Sequence, residues 1–124
     1  MASPIVHVEV RGLDSSELRE FYAEVFGWRR DEALSYGDYS VGLIGNGELT
    51  AATGAVADWQ ANSATFYIQV DDIDSTIELI ERLGGQAIMP KQVGPDDFPS
   101  RHINVFTKFI DPAGNVVGLV EAPR

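Results

Sequence analysis

The chain contains no cysteine, which removes disulfides, thiolate zinc sites and cysteine nucleophiles together. Any metal would have to be held by His, Asp or Glu. Positive charge is also short, with 9 Lys and Arg against 19 Asp and Glu and a formal net charge of −10. A surface of that sign repels a polyanion, so no nucleic acid partner is expected; otherwise the acidic surplus reads as a solvated exterior. No apolar run approaches the roughly 18 residues of a membrane span, and no charged leader precedes an apolar segment. The expected setting is therefore the cytoplasm, with no membrane contact. There is also no glycine-rich phosphate cradle ahead of a helix and no nucleophile elbow.

What is present suits one packed domain spanning 1–124, since 124 residues with 44% hydrophobic content can build a single core. Ile5 to Val10 alternates like a strand and leads to Asp14, which with Glu17 three places on has the form of a helix capping box. Leu18, Phe21, Tyr22, Val25 and Phe26 then recur at helical spacing, predicting an aromatic stripe laid on a sheet, and Gly27 supplies a left-handed stop. The same order returns at Thr65 to Val70, Asp72, Leu79, Ile80, Leu83, Gly84 and Gly85. An offset of 58 positions lays Asp14 on Asp72, Tyr22 on Ile80, Val25 on Leu83 and Gly27 on Gly85.

Further strands are expected at Tyr39 to Ile44, Glu48 to Ala52, Ile103 to Ile110 and Asn115 to Val120. The turn Asp111-Pro112-Ala113-Gly114-Asn115 makes a hairpin of the last two. The patterning weakens near Ala55 to Asn62, which reads as a linker carrying Trp59. Lys91 to Ser100, rich in Pro, Gly and Asp, reads as a mobile loop. The expected class is α+β: two tandem β-α-β-β-β modules, about 4–57 and about 63–122, forming a cupped mixed sheet with the helices outside and a cavity within.

This repeat, together with His7, "FYAEVFGW" from Phe21, "VDDIDS" from Val70, "LGG" from Leu83 and "DPAGNVVGLVE" from Asp111, resembles the vicinal oxygen chelate superfamily. That is the glyoxalase, bleomycin-resistance and extradiol dioxygenase group. The resemblance implies paired modules, commonly assembled as homodimers. In catalytic members it also implies a divalent metal on four inward side chains, usually two His and two Glu. Carried over position by position, His7 occupies the first ligand position. Thr65 stands in place of the second His, Gly118 in place of a Glu, and Ala51, counted from Gly47, at the remaining position. Three of four ligands are missing, so the chain is similar to the metal-less branch, and neither metal nor cofactor is expected.

Alternation along a strand places Glu9 on the same face as His7. Thr65 and Tyr67 follow from the repeat, and Tyr39, Trp59 and Phe106 add aromatic surface to the expected ligand-binding set. Tyr36 and Phe66 are further candidates for the cavity wall, and His102 is expected to be exposed. Two functions remain open. One is a binding protein holding a hydrophobic or aromatic small molecule without metal. The other is a metal-independent isomerase, cyclase or lyase in which His7 and Glu9 act as acid and base. A divalent-metal lyase or dioxygenase of the family's usual kind is a third and weaker reading.

Overall fold

A computed structural model describes residues 2–56, 61–95 and 104–122. Trp59, His102 and the stretch 96–100 of the expected loop lie outside the described residues. The elements run β1 (Ile5–Gly12), α1 (Ser15–Phe26), a 3-10 turn (Glu32–Leu34), β2 (Ser40–Ile44), β3 (Leu49–Ala55), β4 (Ser63–Val70), α2 (Ile73–Arg82), β5 (Gln86–Ala87), β6 (Gln92–Val93), β7 (Val105–Ile110) and β8 (Val116–Glu121). The class is α+β; among the described residues the first half runs β-α-β-β and the second β-α-β-β-β-β, where two β-α-β-β-β modules were expected. The chain divides into two compact units, one containing His7–Thr65 and the other containing the residues from Phe66 onward together with the start of β1.

In the first unit the strands lie in the order β2-β3-β1, with β3 parallel to β1 and antiparallel to β2. Helix α1 starts where Asp14 accepts a hydrogen bond from the Glu17 amide at 3.0 Å, satisfying one of the orphan donors of the first turn. It stops at Gly27, whose φ of 74° lies in the left-handed region that lets its N–H turn back to the Tyr22 and Ala23 carbonyls. The 3-10 turn follows α1 and precedes β2, and Asp31 N–H donates to the Val41 carbonyl at 2.8 Å.

The aromatic stripe of α1 does not pack as the spacing predicts. The helix packs on β3, yet none of its residues is buried, and Phe21 and Phe26 are 53% and 62% exposed. Other contacts occupy their neighbours. Leu18 occupies the space beside Gly12, its Cδ1 lying 3.0 Å from where a Gly12 Cβ would sit. Tyr22 stacks along its own helix on Phe26 and on Trp28, at ring separations of 5.9 and 4.9 Å. The aromatics thus satisfy part of their contact area with one another and leave an apolar flank in solvent.

In the second unit the order is β4-β8-β7-β5, with β6 also paired to β7. β4 runs parallel to β8, while β5, β6 and β8 are antiparallel to β7. The start of the expected loop is therefore a strand: Gln92 and Val93 pair with Phe106 and Val105. Those two residues find ladder partners in β7, which outweighs the breaker composition around them. Helix α2 is capped by Asp72, which accepts from the Ser75 amide, and its first residue, Ile73, is fully buried. Glu121, at the end of β8, also accepts from the Ile73 amide at 3.0 Å and so fastens strand to helix. The hairpin at Asp111 forms as its sequence predicts, the Asp111 carboxylate accepting from the Ala113 and Asn115 amides at 2.9 Å each.

Candidate functional site

Strand alternation puts His7, Glu9 and Arg11 on one face of β1, because side chains two apart share a face. Parallel pairing opposes them to Thr50, Ala52 and Gly54 of β3. Tyr39, just ahead of β2, lays its ring over Gly54, where an added Cβ would meet the ring at 2.9 Å. These residues form one continuous polar chain. The Tyr39 hydroxyl donates to Glu9 Oε1 at 2.8 Å, so its oxygen is left to accept from His7 Nε2–H, also at 2.8 Å. His7 Nδ1 then accepts from the Thr50 hydroxyl. This tautomer is the one the network dictates for a neutral ring. Glu9 closes the chain on Arg11, whose guanidinium is 3.3 Å from Oε2, donates to the Ala55 carbonyl at 3.0 Å and lies over the Tyr39 ring at 5.2 Å.

The chain is enclosed. His7, Glu9 and Thr50 are each 1% exposed. Burial of an imidazole and a carboxylate is tolerable only because their donors and acceptors are answered. Beside them, desolvation raises the Tyr36 hydroxyl above its ordinary pKa, with the Arg11 cation opposing and the Glu9 carboxylate adding to the rise. Tyr36 packs on Tyr39 at 5.3 Å. Thr65, at the end of the same unit, is buried.

The second unit carries matching positions of different chemistry. Tyr67 opposes Gly118, and Gly118 opposes Lys108, as Glu9 opposes Ala52 and Ala52 opposes Val41. By that register Tyr39 corresponds to Phe106, each two residues before the strand position it supports. The Tyr67 ring covers Gly118 so closely that an added Cβ would lie 2.2 Å from a ring carbon. Phe106 meets Tyr67 edge to face at 6.5 Å, and Lys108 Nζ stands 5.9 Å from its centroid. The face of the first module is thus polar and ionic, and that of the second aromatic.

One sequence expectation changes. Ala51 opposes Val8, not His7 or Glu9, so its side chain lies on the opposite face, beside Arg19 and Trp28. The position matching Gly118 is Ala52. The slip arises because six residues separate the paired Leu43 and Thr50, whereas five separate the matching Ile110 and Val116. The extra residue in the first hairpin shifts a count made from its glycine by one. Thr50 and Arg11, which hold His7 and Glu9, are absent from the sequence-based set. Alternation with Glu9 is a signal for Arg11; Thr50 needs the register of β3.

The arrangement does not suit a divalent ion at the family's usual position. Gly118 offers no donor and its space holds a ring, Ala52 and Ala51 offer none, and His7 already has both nitrogens bonded within the protein. Among the described residues no group of three or more His, Cys, Asp or Glu side chains is placed to hold a metal ion. No helix of the described residues is long and apolar enough to cross a membrane.

The paired strand-helix-strand modules define an α+β protein of the glyoxalase fold. The chain belongs to the Glyoxalase/Bleomycin resistance protein/Dioxygenase superfamily, whose family model matches residues 4–119. It is 30% identical to a putative glyoxylase, CFP32, of Mycobacterium bovis, over 94% of this chain and 45% of that protein. The chain thus spans less than half the length of that relative. A glyoxylase-like domain-containing protein of Didymella fabae is 27% identical over 94% of this chain and 91% of its own. Among solved structures, methylmalonyl-CoA epimerase from Mycobacterium tuberculosis superposes with a TM-score of 0.68 at 15% identity, covering 96% of this chain and 88% of that one. A Streptomyces coelicolor methylmalonyl-CoA epimerase variant in complex with 2-nitronate-propionyl-CoA gives 0.67 at 12% identity, with 100% of both chains covered. At those identities the likeness is one of fold.

Proposed function

We propose that this chain is a metal-independent small-molecule-binding protein of the glyoxalase and bleomycin-resistance type, taking an organic ligand with an aromatic or apolar body. The observation that carries the reading is the state of His7: the lone imidazole at the family's ligand positions is bonded at both nitrogens, to Thr50 and Tyr39. A metal would have to break those bonds and would find no donor at Ala52, Thr65 or Gly118 beyond a threonine hydroxyl. Phe106, which is half-buried, and Tyr36, which is exposed, offer aromatic surface suited to an apolar body, and the part-exposed Arg11 offers a polar group of the kind that fixes orientation, while Tyr39, Tyr67 and Glu9 are buried. The cytoplasmic setting and the homodimer expected from the sequence belong to the same reading.

Its test is calorimetric titration of chelator-treated protein with a panel of aromatic carbonyl and polyketide-like compounds. Saturable binding, unchanged by added Zn²⁺, Ni²⁺ or Mg²⁺ and leaving the ligand chemically intact, is the expected result. Binding that requires added ion would end the proposal.

One observation favours a second reading. Tyr39 joins His7 to Glu9 in a single hydrogen-bonded chain, the connectivity a proton relay needs, so an isomerase, cyclase or lyase using His7 and Glu9 as acid and base is the alternative. Turnover of a bound compound that is lost in His7→Gln, with the fold retained, would select it.

A further inference from the structure

The first unit holds a cavity of about 640 Å³ that meets the polar chain around His7 only at Arg11. It lies where β1 passes into α1 and is walled by Leu13, Leu18 and Phe21, with Asp14, Glu17 and Asn62 at its polar positions. Its volume falls in the range of pockets that hold small organic ligands, roughly 300 to 1,000 Å³. We infer that this pocket is a binding site for a small organic cation, an amine or quaternary ammonium carrying an apolar group.

Charge decides the ligand class. Asp14 and Glu17 contribute two carboxylates, and the ion pairs of the described residues use others, Glu9, Glu32 and Asp74. Arg11 is the one cationic residue of the lining, and its guanidinium is already committed to Glu9 and the Ala55 carbonyl. The start of α1 opposes a cation with a partial positive charge of about half a unit, which two full carboxylates outweigh. The −10 net charge of the chain adds an attractive field for a cation and a repulsive one for an anion or for a second copy of this acidic face.

Shape and surface agree with charge. Phe21 is more than half exposed, though it belongs to the stripe predicted to pack, and an aromatic face within reach of carboxylates attracts an ammonium group. Leu13, also exposed, and Leu18 offer contact for the apolar part of the ligand. Asn62 supplies an amide for a polar substituent. The Asp14 carboxylate spends one oxygen on the Glu17 amide and keeps the other for a ligand.

The probe is benzyltrimethylammonium, with benzyl alcohol as its uncharged comparison, followed by amide chemical shifts of the full chain. The expected result is saturable shifts at Leu13, Glu17, Phe21 and Asn62 with the cation, and weaker or no saturation with the alcohol. Affinity should fall about tenfold in the Asp14→Asn/Glu17→Gln double variant and fall again with added salt. Asparagine retains the helix cap, so that variant should stay folded, with its thermal midpoint lowered only by the lost attraction of two carboxylates for the helix start. Phe21→Ala, a change at an exposed position, should weaken binding as well. Equal affinity for benzyl alcohol, indifference to the double variant, shifts confined to residues around His7, or a second copy found seated on this face by sedimentation and shift mapping would each overturn the inference.

Discussion

Arg11 matters to this molecule chiefly through Glu9. The carboxylate is fully buried, and its neutralisation rests on a guanidinium that is itself about a third exposed. Arg11→Ala removes the cation beside a desolvated carboxylate that still accepts from Tyr39, so urea unfolding should show a loss of about 3 kcal/mol. Adding Glu9→Gln in the same chain should recover much of that loss, because the amide carries no charge to strand and still accepts from Tyr39. A second residue-scale prediction concerns acid. Asp111 is held below its ordinary pKa, first by the Asn115 side chain and then by backbone amides, and Asp72 likewise by Ser75. A folded pKa depressed in this way contributes stability above the ordinary carboxylate value, and that contribution is lost as pH falls through the depressed value. Thermal midpoints should therefore decline below about pH 4, and Asp111→Ala should lower the midpoint at neutral pH while shallowing that decline.

At the scale of elements, the repeat was legible wherever a local signal fixes a boundary. Asp14 and Asp72 cap their helices, Gly27 ends α1, and the Asp111 hairpin forms from its own side chains. Those are interactions over a few residues, which is why a chain read from left to right reveals them. Counting from Gly47 misplaces Ala51 because the face of a strand residue depends on its partner strand, and one extra residue in a hairpin reverses it. The exposure of Phe21 and Phe26 is hidden for a related reason: periodicity identifies an apolar stripe but not what covers it. Of the candidate site, the alternation of His7 with Glu9 could be read directly, whereas Thr50 and the covering of Gly118 by Tyr67 needed strand register. That covering makes its own prediction. Gly118→Ala should cost about 1–3 kcal/mol by overpacking in equilibrium unfolding, and pairing it with Tyr67→Ala should relieve the clash; an unchanged midpoint in the single variant would contradict the close approach.

Across the molecule, two modules of one pattern carry different chemistry at matching positions. Tyr39, Glu9 and Ala52 belong to a polar, ion-paired face; Phe106, Tyr67 and Gly118 belong to an aromatic one. Divalent ions need several converging His or carboxylate donors, and neither set supplies them. That difference between the modules is what the proposed metal-free binding role rests on. The most direct test of metal-independent binding is native mass spectrometry of freshly purified protein, before and after dialysis against chelator. Protein carrying an organic adduct that survives chelation, with no divalent ion at stoichiometric occupancy, is the predicted spectrum; a stoichiometric ion whose removal releases the adduct would contradict it.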